Sequence, residues 1–141
     1  MPLSLSQRKK NIMELIYSGS TTVYLALSTT APTKEGTNVT EPSGGSYQRI
    51  SMRYNIMGSQ QPNFPNEPDY NSSTDIVSIT NTRNIYFYEP TAAWGTIGYF
   101  ALFDAATGGT MLAYGTLSES IQPTVGTIPV IRTGQLTIKE E

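Results

Sequence analysis

Residues 94–117 read WGTIGYFALFDAATGGTMLAYGTL, an apolar run that breaks at a polar, glycine-ended turn and then resumes. On a strand, alternate side chains share a face, so Phe100 and Leu102 mark a central strand and residues 110–117 return as its antiparallel partner. DAATGG between them is then a hairpin connection of the longer kind. Asp104 is placed to accept hydrogen bonds from nearby backbone amides, and Gly108 or Gly109 to take the positive-φ position of the turn. Trp94, beside Gly95, plugs the end of the core. A phosphate cradle is the weaker reading of this turn. Gly108-Gly109 follows a strand without the P-loop lysine, and Gly44-Gly45 lacks the strand before and helix after that such a site needs.

The same period extends outward. TVYLALST (22–29) and SYQRISMRY (46–54) alternate as half-buried strands. DIVSIT, NIYFYE, TIPVIRT and QLTIKEE continue the series toward the C-terminus. Pro123 and Pro129 flank the penultimate strand and put it at an edge. Residues from about Ser6 to Ser18 instead suit one helix, with Leu5, Ile12, Leu15 and Ile16 on one face, Ser4 or Ser6 as cap and Gly19 as stop. So short a helix needs a sheet or a neighbouring subunit to cover that face. Closely spaced strands with no second helix for crossovers predict a mainly β fold, an antiparallel β-sandwich of jelly-roll-like kind with one short N-terminal helix. The expected organisation is a single domain over 1–141: a helical segment to residue 19, then the sandwich. A proline- and asparagine-rich loop over about 55–75 interrupts it, functional or arm-like in character.

Composition narrows the function classes. Of 141 residues, 14% are charged, against roughly 25% in ordinary soluble domains. Nine basic and eleven acidic residues give a net charge of −2, which offers no field to gather nucleic acid or an anionic membrane. Arg8, Lys9 and Lys10 read as a solvated helix face and not as a phosphate clamp. No run approaches membrane-spanning length, and the N-terminal apolar stretch, interrupted by Asn11 and Glu14, is too polar for a signal peptide. The chain has neither cysteine nor histidine. Thiolate chemistry, Ser-His nucleophile pairs and the commonest zinc ligands are therefore excluded.

The remaining candidates are weak. Glu35, Glu41, Glu67, Asp69, Asp75, Glu89 and Asp104 supply carboxylates, but sequence spacing sets no glycosidase pair among them. DYNSSTD (69–75) offers oxygen ligands without the calcium-loop pattern, so no metal or cofactor is expected. Two sequons, at Asn38 and Asn71, read as surface loops. Nine tyrosines mostly occupy strand positions they favour. Tyr70 and Phe64, in the long loop, are the candidates for stacking on a sugar ring or meeting a partner. Ile12, Leu15 and Ile16 are the candidates for assembly contacts.

The segments IMELIYSG, VYLALSTTAPTKEGTNVTEPSGGSYQRI, AAWGTIGYFALFDAATGGTMLAYGTL and GTIPVIRTGQLTI together resemble small virion proteins of tailed bacteriophages, the tail fibre or minor structural proteins. Thr30, Pro32, Gly36, Glu41, Gly44, Gly45, Tyr47 and Arg49 carry one shared loop pattern, and Trp94, Gly95, Asp104 and Gly108 carry another. The resemblance implies a non-enzymatic structural component of tail fibre, collar or head decoration. Its expected partners are other virion proteins and copies of itself, in a homo-trimer or ring. Such a protein assembles in the host cytoplasm, leaves by lysis and resides in the virion. The alternative function is a carbohydrate-binding module for adsorption to a host glycan; a small polysaccharide hydrolase ranks last.

Overall fold

Ser4 caps the N-terminal helix: its Oγ accepts from the Gln7 amide at 3.2 Å. The helix, α1, runs Leu5–Tyr17, and its buried face centres on Ile12, 1% exposed. Leu5 was expected on that face but is 39% exposed; it lies in the first turn, where the side of α1 that meets the sheet carries Arg8. The computed structural model describes residues 2–17, 23–52 and 67–140.

The chain is mainly β and antiparallel. One sheet takes β1 (Tyr24–Ser28), β2 (Ile50–Ser51), β6 (Ile97–Phe103) and β7 (Met111–Ile121) in the order β2-β1-β6-β7. A second takes β3 (Asp69–Asn71), β4 (Ile76–Thr80) and β9 (Thr137–Glu140) in the order β3-β4-β9. β5 (Ile85–Tyr86) and β8 (Val130–Ile131) pair as a short ribbon. The sandwich closes around one large cluster that includes Leu25, Leu27, Ile79, Phe87, Phe100, Leu102 and Ile138, with Ile12 of α1 among them.

Register explains which face each residue takes. Leu25 faces Leu102 and Leu27 faces Phe100 across β1 and β6, while Leu102 faces Ala113 and Phe100 faces Gly115 across β6 and β7. These rows point into the core. The rows between them point outward: Ala26 and Ala101 are buried with Phe103 beneath a cover that includes Val39. β1 and β6 are therefore buried on both faces, and their sequences read as nearly continuous apolar runs. A register shift between Leu102 and Phe103 turns Met111 toward the outer cluster.

Some elements differ from the sequence reading. β3 falls inside the segment expected to be a loop, and all three of its residues are exposed. The strand expected over 46–54 is reduced among the described residues to Ile50–Ser51. β7 extends four residues beyond the expected end, to Ile121.

Candidate functional site

The richest polar constellation joins the loop before β2 to the turn between β6 and β7. Arg49 reaches Glu41 with two donors, Nε to Oε1 at 2.9 Å and Nη2 to Oε2 at 2.8 Å. Its Nη1 donates to the carbonyls of Ala105 and Gly108 at 2.9 and 2.8 Å. The guanidinium carbon lies 3.8 Å from the centre of the Phe103 ring. A planar fork is needed for this pattern: one edge matches a carboxylate, another tip bridges two carbonyls, and the face stacks on an aromatic ring. The Tyr47 hydroxyl donates to Glu41 at 2.7 Å and accepts from the Leu27 amide of β1 at 3.0 Å.

The charge state follows from these contacts. Burial pushes the Glu41 carboxyl upward, but the hydrogen bonds from Arg49 and Tyr47 outweigh it and hold the group below its usual range. Burial and the bond to Glu41 push the Tyr47 phenol far above its usual value. Glu41 is thus an anion and Tyr47 a neutral donor at every physiological pH, so neither is poised to transfer protons.

The turn itself is braced from within. Thr110 donates its amide to Asp104 Oδ1 at 2.8 Å, and the Asp104 amide donates to the Thr110 carbonyl at 3.2 Å. Gly108 and Gly109 take φ of +61° and +78°. A Cβ on Gly109 would stand 2.5 Å from Asp104 Oδ1, whereas one on Gly108 would meet nothing within 4 Å. The two glycines share a backbone conformation but only Gly109 is also enclosed. Trp94, 5% exposed, donates Nε1 to the Gly45 carbonyl at 2.9 Å and stands edge-on to Tyr47, centroids 5.2 Å apart. Gly95 follows it into the connection to β6.

A second polar cluster fastens α1 to the other sheet. Arg8 donates to Glu140 Oε2 at 2.6 Å, to Asp75 Oδ1 at 2.9 Å and to the Asp75 carbonyl at 2.7 Å. Tyr70 donates to the same Asp75 oxygen at 2.9 Å, and Lys9 pairs with Glu67 at 3.2 Å. Arg8 and Lys9 therefore form ion pairs within the chain, where the sequence suggested a solvated face. Asp75 is held below its usual range by the bond from Arg8 and then that from Tyr70.

A groove of about 840 Å³ runs along β7, lined also by Asn11, Ile12 and Leu15 of α1, by Lys34, and by Thr137 and Lys139 of β9. Within it the edges of the two sheets lie side by side, joined where the Ser118 amide donates to the Gln135 carbonyl at 3.2 Å.

The model of the podophage GP4 fibre I protein gp80 family matches residues 10–139 of this chain. The chain belongs to that family. No curated protein sequence matches it. Membership makes it a phage fibre structural protein, found with other virion components. In this fibre protein the motif residues Glu41, Tyr47, Arg49, Trp94, Asp104 and Gly108 converge on a single internal buckle.

The assembly and glycan candidates are scattered. Ile12 packs in the chain's own core, Leu15 is half-buried at the groove, and the side chain of Ile16 lies outside the described residues, as does Phe64. Tyr70 is 39% exposed on β3, with its hydroxyl committed to Asp75. Among the described residues no group of three or more Asp or Glu is disposed to hold a metal ion, and no helix is long and apolar enough to cross a membrane.

Sequence reasoning missed one hub entirely. Asn81, 2% exposed, donates Nδ2 to the carbonyls of Arg83 and Arg132, while its Oδ1 accepts from the amides of Gly134 and Leu136. It reinforces the backbone pairs that the Asn81 amide and carbonyl make with Leu136 and Gly134, where β4 leaves the sheet and the turn before β9 crosses it. Its only sequence signal is an asparagine between two strand-like runs.

Proposed function

We propose that this fibre protein is a non-enzymatic building element of a tailed-phage virion, at a tail fibre or collar, working by symmetric assembly. It assembles in the host cytoplasm and leaves with the particle on lysis. The observation that carries this reading is the division of labour in the molecule. The motif residues Glu41, Arg49 and Trp94 are consumed in internal contacts, and over Met111–Leu117 the outer edge of β7 has no hydrogen-bonded strand among the described residues. The test combines sedimentation of the purified chain with binding to virions lacking it. Self-association and recovery on the particle are expected; a monomer that fails to bind depleted virions overturns the proposal. Labelling in intact particles, read by electron microscopy, distinguishes the tail from a head decoration.

A second reading, attachment to a host glycan, is favoured by the exposed rings of Tyr70, Tyr88 and Tyr114, since aromatic faces stack on sugars. A glycan array with the wild type and Tyr70→Ala decides it. Binding abolished by the substitution supports recognition, and no binding by the wild type leaves assembly alone.

A further inference from the structure

The groove along β7 gathers binding groups that the fold itself leaves unspent. Its volume of about 840 Å³ lies within the roughly 300–1,000 Å³ of pockets that take small ligands. Leu112 and Tyr114 line it and are exposed. Tyr114 faces only Ala101 across the ladder with β6, and among the described residues its ring pairs with no other. The ring is therefore open to a ligand.

Polar groups surround it. Among the described residues, Met111–Leu117 make strand hydrogen bonds only to β6, so alternate backbone amides and carbonyls along this stretch have no strand partner. Thr116 and Asn11 line the groove beside them; the Asn11 Oδ1 accepts from Gln7 at 2.8 Å, which leaves its amide hydrogens for a ligand. Lys34 enters from the turn Thr33–Gly36, which is closed by the Gly36 amide on the Thr33 carbonyl at 2.9 Å and lies against Met111. Lys139 enters from β9. Among the described residues neither lysine has an ion-pair partner. Glu140, the carboxylate among the lining residues, is bound to Arg8. A chain of net charge −2 thus keeps this groove positive.

Such a set of groups matches a sugar that carries negative charge. The C–H face of a pyranose stacks on an aromatic ring, its hydroxyls meet neutral donors and acceptors, and a carboxylate or phosphate substituent takes charge-assisted hydrogen bonds from ammonium groups. A peptide strand would use the same backbone groups, but its recognition needs pockets for alternate side chains. From Tyr114 onward the alternate positions of β7 carry a phenol and the hydroxyls of Thr116 and Ser118.

We propose that the β7 groove of this fibre protein binds an anionic oligosaccharide, with Tyr114 stacked on a sugar ring, Asn11 and Thr116 at its hydroxyls, and Lys34 and Lys139 at its carboxylate or phosphate groups. This rests on the glycan-attachment reading and gives it a site and a ligand charge.

A printed array of uronate-bearing, phosphorylated and neutral bacterial oligosaccharides tests it, followed by calorimetric titration of the strongest binder, with far-UV circular dichroism verifying the fold of each variant. The wild type is expected to bind charged glycans and not their neutral counterparts, and the array tells whether carboxylate or phosphate is the group read. Tyr114→Ala is expected to weaken binding about tenfold, and Tyr114→Phe, which keeps the ring, to leave it within about twofold. Lys34→Gln and Lys139→Gln are each expected to weaken it about tenfold, and half-molar salt to weaken the wild type. A preference for neutral glycans, or full binding by Tyr114→Ala and by both lysine variants, overturns the site; if Tyr70→Ala then abolishes binding, glycan attachment stands at another place. No glycan binding by the wild type overturns both. Loss of recovery on depleted virions by Lys34→Gln/Lys139→Gln in that case makes the groove a seam for a strand of another virion protein.

Discussion

Two arginines tie this fold together under different conditions. The Arg49 side chain is 6% exposed and its partner Glu41 25%, with two backbone carbonyls and a ring completing its surroundings. The Arg8 side chain is 14% exposed, but its partners Asp75 and Glu140 are 73% and 30% exposed. When Arg8 is lost, water can take over its partners. When Arg49 is lost, the half-buried Glu41 carboxylate keeps only the Tyr47 hydroxyl among the described donors, and the carbonyls of Ala105 and Gly108 lose the donor they share. The worth of an arginine is set by how exposed its partners are.

The largest expected effect is that of Arg49→Met, which keeps the stem packed on Phe103 and removes every donor. The cost is about 3 kcal/mol, at the lower end of what breaking a buried pair costs because Glu41 keeps some access to water. Urea denaturation with an unchanged slope checks it. A change below about 1 kcal/mol, the scale of exposed pairs, erases the contrast between the two arginines.

Next come the glycines of the turn that Arg49 grips. Gly108→Ala carries only the left-handed backbone strain, about 1–2 kcal/mol. Gly109→Ala carries the same strain plus the overlap with Asp104 Oδ1 and is expected to cost more. Equal melting temperatures for the two variants contradict the enclosure of Gly109.

Acid unfolding sharpens the comparison further. Glu41 is lowered below its ordinary value near 4.5 in the folded chain, so below that value the unfolded chain binds more protons than the native one. Its contribution is complete above pH 4.5 and is lost as pH falls through the folded value. Stability of Glu41→Gln is therefore expected to depend less steeply on pH below 4.5. Asp75→Asn is expected to flatten the same window less, because its carboxylate is largely exposed. A steeper profile for Glu41→Gln reverses the sign argued for Glu41. The smallest effect is that of Arg8→Ala, a slight fall in melting temperature that half-molar salt reduces.

What was legible in the sequence was the period of two. It marked β7, whose exposed and half-buried residues alternate, while β1 and β6, buried on both faces, stood out as apolar runs, and the helix stood out because Ile12 and Leu15 follow a different period. β3 was illegible because all of Asp69, Tyr70 and Asn71 face water, leaving no alternation to see. The buckle was half legible. Glu41, Tyr47 and Arg49 stood out through family resemblance, but nothing local tells that Arg49 grips a turn more than fifty residues away. Arg8 was misread for the same reason: its partners Asp75 and Glu140 are brought to it only by the sheet. Asn81 was hidden because its hydrogen bonds join chain segments that meet only when β4 and β9 pair.

Glu41, Tyr47, Arg49 and Trp94 make their hydrogen bonds inside the fold, so losing Arg49 is expected to cost stability and not assembly. The most direct measurement takes Arg49→Met through thermal unfolding and incorporation into depleted virions. A clearly lowered melting temperature is expected, with normal incorporation at temperatures where the variant is still folded. An unchanged melting temperature with incorporation lost would contradict it and make Arg49 part of a contact surface.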